Sequence, residues 1–237
     1  PIVSAAVSAG VLIDNDVGLF FQSIATKSWD KFSVRPRIVA VTGSNGKSTT
    51  ASLLHHIFLK LGYKSQLAGN IGRGVLDIDP PENNELIVLE LSSYQIEVAR
   101  ILSPDLAIFT NFSADHLERH GGIGGYLAAK RRLFTEGCPD YSIIGVDELA
   151  GLNLAQQLSA SIGDESIIRV SATKQIRRFD WSIFCDGSCL VEHRKGKQIN
   201  SIDLKIFDSF VGLHSYQNAA SAYAACRALG LSPSKIA

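Results

Sequence analysis

The stretch between Arg37 and Gly62 constrains the fold more than any other part of the sequence. It begins with an apolar run of strand length, RIVAVTG, which ends in the glycine-rich loop GSNGKST. Leucine, isoleucine and phenylalanine then recur at helical spacing. A buried strand, a glycine-rich turn and a helix in direct succession are typical of a phosphate-binding loop. Small residues let such a loop curl, so that its N–H groups and the helix N-terminus point toward phosphate oxygens.

The loop itself is shorter than the usual P-loop pattern, because only two residues separate Gly43 from Gly46. Lys47 is placed to reach the β- and γ-phosphates, and the Ser48 hydroxyl is placed to bind Mg²⁺. The alternative is an ordinary glycine turn with a solvated lysine. The order of the elements argues against it, because the strand is followed directly by the glycines, the lysine and the hydroxyl residues. The predicted phosphate-binding residues are Gly43, Ser44, Asn45, Gly46, Lys47, Ser48 and Thr49.

Apolar runs of strand length alternate with helical patterns along the chain. We predict strands near residues 86–91, 106–111, 141–146 and 166–171, and helices near 126–134, 148–158 and 215–229. Strands that are apolar throughout are typical of a parallel sheet covered on both faces. Alternation around Asp186-Gly187 predicts an antiparallel hairpin near 178–206. The sequence therefore predicts a P-loop NTPase-like α/β fold: a mostly parallel sheet with helices on both faces, plus a small antiparallel hairpin sheet.

Composition argues against several classes of function. Lysine plus arginine and aspartate plus glutamate are balanced at 23 each, so we expect neither nucleic acid nor an anionic membrane as a partner. No apolar run approaches the roughly 20 residues that span a bilayer. The four cysteines form no C-x-x-C pair, which disfavours a zinc ribbon. Reduced thiols are typical of the cytoplasm, which is where we expect the protein.

Glu90 near the end of the apolar run at 86–91 is a second candidate for nucleotide chemistry. Burying a carboxylate is costly unless it is paired or meets a metal. A strand next to the phosphate loop would place Glu90 near Mg²⁺, as the acid of P-loop enzymes is placed. A GTPase is disfavoured, because the sequence has no N-K-x-D and no apolar strand ending in D-x-x-G.

Five motifs in order resemble the Mur ligase family, ATP-dependent enzymes that join amino acids to a nucleotide-linked muramic acid. VTGSNGKST resembles the shortened phosphate loop of that family. LELSSYQIE (89–97), TNFSADHLERH (110–120) and YLAAKRRLF (126–134) are similar to the members that add D-glutamate. GLHSYQNAASAYAA (212–225) resembles the start of the helix on the adenine side. The resemblance covers roughly residues 37–237.

The resemblance implies an activity: ATP-dependent addition of D-glutamate to UDP-N-acetylmuramoyl-L-alanine through an acyl phosphate, in peptidoglycan precursor synthesis. It implies ATP, two Mg²⁺ ions and a CO₂-derived carbamate on Lys130, in a monomeric enzyme with small-molecule substrates. Two alternatives stay open. One is another ligase of the same superfamily, such as a folate polyglutamating enzyme, and the other is a nucleotide-binding module without catalysis.

The resemblance also implies roles for individual residues. The implied catalytic residues are Lys47, Asn70, His116 and Lys130. The implied Mg²⁺ ligands are Ser48, Glu90, His116 and carbamylated Lys130. The implied substrate-binding residues are Ser92, Gln95 and His116. Asn218 is implied to meet adenine, whereas Ser215 stands where the family has an asparagine, and serine lacks the paired donor and acceptor of an amide.

The resemblance divides the chain into two parts. Residues 1–33 are expected to be the tail of an N-terminal UDP-binding domain, and residues 34–237 the central ATP-binding domain. The C-terminal domain of the family is not expected in this chain. Because the sequence begins at Pro1 and contains no methionine, we expect it to be an excerpt of a longer protein.

Overall fold

The structure of the protein is a computed structural model that describes residues 2–25, 29–113, 118, 120–207 and 212–236. The helices in these ranges are α1 (Ile2–Ser8), α2 (Asp16–Ala25), α3 (Lys47–Lys60), α4 (Ser93–Val98), α5 (Ile123–Thr135), α6 (Leu149–Ile162), α7 (Leu213–Ala228) and α8 (Pro233–Ile236). The strands are β1 (Arg37–Thr42), β2 (Ser65–Gly69), β3 (Leu86–Glu90), β4 (Leu106–Phe109), β5 (Tyr141–Gly145), β6 (Ile167–Ser171), β7 (Trp181–Asp186), β8 (Cys189–Arg194) and β9 (Lys197–Asp203).

All of these strands belong to one sheet with the order β2-β3-β1-β4-β5-β6-β7-β8-β9. Every neighbouring pair up to β7 is parallel, and β7-β8 and β8-β9 are antiparallel. The predicted α/β fold with a mostly parallel sheet and antiparallel strands is therefore confirmed. The antiparallel strands extend the same sheet, because β7 pairs in parallel with β6.

Helices cover both faces of the sheet, which explains why its strands read as continuous apolar runs. In β1, Ile38 and Ala40 face a core formed with α2, α4, α5 and α6. Val39 and Val41 point to the opposite face, where α3 and α7 close a second core. Successive side chains of a strand point to opposite faces, so each must be apolar when both faces are buried. None of the described helices is long and apolar enough to cross a membrane.

Sequence patterns did not predict β2, α2 or α4. β2 is an edge strand whose residues are mostly half-buried, so it lacks the apolar run of the central strands. α4 has only six residues and begins with a capping box between Ser92 and Gln95, which satisfies N–H groups that a short helix leaves unpaired. α2 buries Val17, Phe20 and Phe21 against the sheet. Residues assigned to a preceding domain therefore contribute to this core.

The carboxyl ends of the parallel strands meet at one edge of the sheet. Strand β1 lies between β3 and β4. After β1 the chain forms β2 and β3 on one side of it and then crosses to form β4 on the other side. Ligands of open α/β sheets bind in the crevice at such a change of direction. The loop that follows β1 is the predicted phosphate loop, so the topology places it where a ligand is expected.

A buried acid anchors α7 to the antiparallel part of the sheet. Glu192 in β8 is fully buried. Its carboxylate accepts hydrogen bonds from Trp181 Nε1 at 3.1 Å, Tyr223 Oη at 2.7 Å and Arg227 Nε at 2.8 Å. Burial, and then the hydrogen bond to Glu192, raise the pKa of Tyr223. Arg227 supplies the compensating charge, since an unpaired buried carboxylate is strongly destabilising.

Arg227→Met tests this anchor, because methionine keeps much of the side chain's bulk and removes its charge. We expect a loss of about 3 kcal/mol in the free energy of unfolding, the cost of leaving a buried acid without its partner. Urea denaturation measures the change. Arg100→Met, at an exposed arginine, is the matched control and should change the free energy by less than about 0.5 kcal/mol. Equal losses would show that Arg227 does not compensate Glu192.

Candidate functional site

The phosphate loop adopts a backbone that only glycine fits at two positions. Gly43 has φ 140° and Gly46 has φ 78°, both in a region that L side chains rarely adopt. A Cβ atom at Gly43 would lie 2.0 Å from Thr110 Oγ1. A Cβ atom at Gly46 would lie 2.2 Å from Asn218 Oδ1. Close approach of the loop to β4 on one side and α7 on the other therefore requires both glycines.

Helix α3 begins at the end of this loop with its donors available. Gly46 is the N-cap, and no described side chain caps the helix. The first N–H groups of a helix have no partner within it, and the helix dipole adds partial positive charge there. Lys47 Nζ donates to the Ser44 carbonyl at 2.8 Å, and Ser48 and Thr49 are exposed. The arrangement offers N–H donors, an ammonium group and hydroxyls to an anion.

The segment after β4 clamps the loop from one side. Thr110 Oγ1 donates to the Asn45 carbonyl at 2.7 Å. Asn111 accepts from the Asn45 N–H at 2.9 Å through Oδ1 and donates to the Asn45 carbonyl at 3.1 Å through Nδ2. The Ser44 N–H donates to the Asn111 carbonyl at 3.0 Å. No role was predicted for Thr110 or Asn111, although both are polar residues directly after a parallel strand, which is a signal for a site at the edge of the sheet.

Lys130 of α5 reaches the same loop from the opposite face of the sheet. Its Nζ donates to the Gly43 carbonyl at 2.7 Å and lies 4.6 Å from the centroid of the Tyr126 ring. Lys130 is only 1% exposed. Tyr126 Oη is 3.2 Å from Ser44 Oγ, and Ser44 Oγ donates to the Ser113 carbonyl at 3.0 Å. The structure thus brings Lys130 directly against the phosphate loop.

Glu90 ends β3 beside β1, in register with Val41 and Gly69. It is 1% exposed. Its Oε1 accepts from Asn70 Nδ2 at 3.1 Å, so the two predicted residues are joined. Its Oε2 is buried and has no hydrogen-bond partner within the described part of the chain. A buried carboxylate oxygen left open at this edge suits a cation.

The metal-binding groups at this edge suit Mg²⁺, which needs few protein ligands, better than they suit a metal bound entirely by protein side chains. Among the described residues, no group of three or more histidine, cysteine, aspartate or glutamate side chains could hold a metal. Mg²⁺ is usually bound by one or two carboxylates, waters and substrate phosphates. Glu90, beside a loop suited to phosphate, fits that pattern. His116, predicted as a ligand and as a catalytic residue, lies outside the described residues.

The other predicted residues lie around this edge. Ser92 and Gln95 are joined in the capping box of α4: the Ser92 N–H donates to Gln95 Oε1 at 3.0 Å, and Ser92 Oγ accepts from the Gln95 N–H at 3.3 Å. Asn218 is 7% exposed, and its Oδ1 accepts from Thr50 Oγ1 at 3.4 Å. Asn218 therefore packs beneath Gly46, close to the loop.

A cavity of about 570 Å³ runs beside the loop between α3, α7 and the antiparallel strands. Thr49 and Ser215 line it near the loop, and Leu190 and Ile202 line its apolar wall. An apolar group with a few polar partners suits such a cavity.

Two buried cysteines take no part in this site. Burial raises the pKa of the Cys185 and Cys226 thiols to about 12, so neither is an activated nucleophile.

The sheet order and the glycine-rich loop define an α/β domain of the P-loop type. Residues 41–226 match the Mur ligase middle domain, and the chain belongs to that family.

Two relatives and one solved structure show how close the similarity is. The chain is 58% identical over 236 residues to a UDP-N-acetylmuramoylalanine–D-glutamate ligase of Cereibacter sphaeroides and 59% identical to that of Ruegeria pomeroyi. Each match covers 100% of this chain and 51% of the relative, so the chain spans about half the length of these relatives. The fold matches the structure of a UDP-N-acetylmuramoyl-L-alanyl-D-glutamate–2,6-diaminopimelate ligase with a TM-score of 0.67 at 22% identity, covering 86% of this chain and 45% of that one.

Gly46→Ala tests the close approach of the loop to α7. Gly62→Ala is the matched control, since Gly62 has a similar φ of 81° and open space around it. The control should lose about 1 kcal/mol of folding free energy from backbone strain alone. Gly46→Ala should lose roughly 2 kcal/mol more, because its Cβ atom displaces Asn218. Urea denaturation compares them, and equal losses would contradict the packing argument.

Proposed function

We propose that the chain is the ATP-binding part of a ligase that joins D-glutamate to UDP-N-acetylmuramoyl-L-alanine. The observation that carries the reaction class is the contact of buried Lys130 with the phosphate loop, 2.7 Å from Nζ to the Gly43 carbonyl. Identities of 58% and 59% to ligases named for these substrates support the substrate assignment. The residues that carry this proposal are Lys47, Asn70, Glu90, Lys130 and, outside the described residues, His116.

The proposed reaction has two steps. The acceptor carboxylate attacks the γ-phosphorus of ATP, giving an acyl phosphate and ADP. The amine of D-glutamate then attacks the acyl carbon and loses a proton to solvent, and the tetrahedral intermediate releases phosphate to leave an amide. Negative charge builds up on the transferring phosphoryl group, where fixed donors lower the barrier. Lys47 and the N-terminus of α3 would supply these donors.

Mg²⁺ bound with ATP would neutralise charge on the phosphates. We propose Ser48 and Glu90 as its ligands, which the open Oε2 of Glu90 supports. His116 and a carbamate on Lys130 are proposed to serve a second ion. The Asn70 amide, which holds the other oxygen of Glu90, would orient this carboxylate. Ser92 and Gln95 are proposed to face the muramoyl and alanyl part of the acceptor, and Asn218 the adenine side.

A carbamate on Lys130 would form when its neutral amine attacks CO₂ and loses a proton. The Lys130 side chain is 1% exposed and ends at the phosphate loop, where Nζ lies 2.7 Å from the Gly43 carbonyl. The product carries one negative charge shared by two oxygens, which are ligands that a hard cation prefers. The carbamate would thus convert a cation into a metal ligand beside the phosphate loop.

The domain arrangement is also a proposal. Residues 1–33 would be the end of a UDP-binding domain and residues 34–237 the ATP-binding domain of a longer, cytoplasmic, monomeric enzyme. A third domain would complete the site for the incoming amino acid. Matches that span 51% of the relatives support this arrangement. Activity is therefore tested on the full-length protein.

Phosphate release tests the substrate assignment. We expect the full-length protein to release phosphate from MgATP only when both UDP-N-acetylmuramoyl-L-alanine and D-glutamate are present. Release with a folate acceptor, or with another amino acid, would keep the reaction class and overturn the substrates. Absence of release with every acceptor, together with nucleotide binding, would favour a non-catalytic module.

Lys130→Ala tests the carbamate. We expect kcat to fall at least about 100-fold, a loss typical of removing one electrostatic contact to a transition state. Isotopically labelled bicarbonate should give a carbamate carbon signal in the parent protein and none in the variant. Arg131→Ala, at the exposed neighbour, is the control and should retain both activity and signal. A parent protein that is active without the signal would refute the modification.

A further inference from the structure

A chain of amide side chains connects the phosphate loop to a carboxylate beyond β5. It runs from the backbone of Asn45 through Asn111 to Gln217 of α7, and ends at Asp147, two residues after β5. We propose that Gln217 is a positioning residue that holds the phosphate loop in its nucleotide-binding conformation. The inference rests on the proposed binding of ATP.

The hydrogen bonds fix the orientation of each amide. Asn111 Oδ1 accepts from the Asn45 N–H, so Asn111 Nδ2 is the donor at both of its contacts, with the Asn45 carbonyl at 3.1 Å and with Gln217 Oε1 at 3.1 Å. Gln217 Nε2 then donates to Asp147 Oδ2 at 3.0 Å. The Gln217 amide can accept from one neighbour through Oε1 and donate to the other through Nε2.

The far end of the chain is firmly held. Asp147 accepts from Ser171 Oγ at 2.5 Å, the Ala172 N–H at 2.9 Å and Thr173 Oγ1 at 2.6 Å. Burial, and then the nearby Asp147 charge, raise the pKa of Glu148. The three donors at and after the end of β6 fix the Asp147 carboxylate, and this carboxylate fixes the Gln217 amide.

The near end of the chain decides which way the loop presents its donors. Thr110 and Asn111 hold the Asn45 carbonyl on their side. The peptide bond from Asn45 to Gly46 is trans, and in a trans peptide the C=O and N–H point in opposite directions. Fixing this carbonyl therefore directs the Gly46 N–H away from Asn111. The Asn45 carbonyl would repel a phosphate. It points toward Thr110 and Asn111, on the side opposite to the Gly46 N–H.

Burial makes the chain sensitive to a single change. Gln217 is 4% exposed and Asn111 is 7% exposed. Hydrogen bonds in such surroundings reinforce one another, and an unmatched donor or acceptor is costly. Replacing the Gln217 amide by an ionised carboxylate would set two acceptors against each other at Asp147, so binding is compared at a pH well above the range in which a paired carboxyl holds its proton. Asn111 would then lose its fixed partner, and the loop its orientation.

Gln217→Glu in the full-length protein tests the inference. We expect a non-hydrolysable MgATP analogue to bind about tenfold more weakly by calorimetry, the cost of one mismatched buried hydrogen bond. The KM for MgATP should rise by a similar factor, while kcat at saturating nucleotide changes less than about twofold. Gln156→Glu, which adds the same charge at an exposed site on α6, should bind like the parent protein.

The double variant Asp147→Asn/Gln217→Glu separates the relay from general packing. It exchanges donor and acceptor across the 3.0 Å hydrogen bond, so we expect binding to return to within about threefold of the parent. The remaining difference arises because the Ala172 N–H, which donates to Asp147 Oδ2, would face an amide donor in this variant. Equal binding by the parent and Gln217→Glu would overturn the relay, as would a double variant that binds no better than the single one. A parent that binds no nucleotide would instead refute the proposed function.

Discussion

The approach of the phosphate loop to its two neighbours is the constraint on which the candidate site depends. Gly43 lies against Thr110 and Gly46 lies against Asn218, with no room for a Cβ atom at either position. The first neighbour follows β4, but the second lies on α7, which the chain reaches only after the antiparallel strands. The loop is therefore built by elements from both halves of the sequence. Buried Glu192 accepts hydrogen bonds from two residues of α7. Because α7 carries Asn218, these bonds also help to fix the conformation of the loop.

Buried polar groups at this edge are nearly all used to position one another. Lys130, Asn111 and Gln217 are each less than 10% exposed, and each has a hydrogen-bond partner in the loop or next to it. Buried polar atoms in proteins are satisfied in the great majority of cases. Thr42 Oγ1 and Glu90 depart from that rule, and in Glu90 one oxygen is held by Asn70 while the other is open. Its open oxygen lies at the carboxyl end of β3, next to the strand that leads into the phosphate loop.

The sequence predicted the local parts of this arrangement and missed the parts made by distant contacts. The loop and the strand ending in Glu90 follow from short patterns, because a strand buried on both faces must be apolar and a curled loop needs glycine. Gln217 and Asn111 are 106 residues apart in sequence, and no local pattern relates them. β2 was missed because an edge strand lacks the apolar run. The hairpin was found from its turn, but its pairing with β6 depends on the whole sheet.

The N-terminal segment holds the proposed acceptor side separately from the phosphate loop. Asn15 Nδ2 donates to the Gln95 carbonyl at 2.7 Å, and the Arg100 N–H donates to Asp14 Oδ1 at 3.0 Å. These bonds hold α4 near both of its ends, while α2 packs under the sheet. A helix of six residues has little stability of its own. The position of Ser92 and Gln95 therefore depends on residues before β1, so a shift of that segment would move the acceptor-side residues and leave the phosphate loop, which Asn111 and α7 hold, in place.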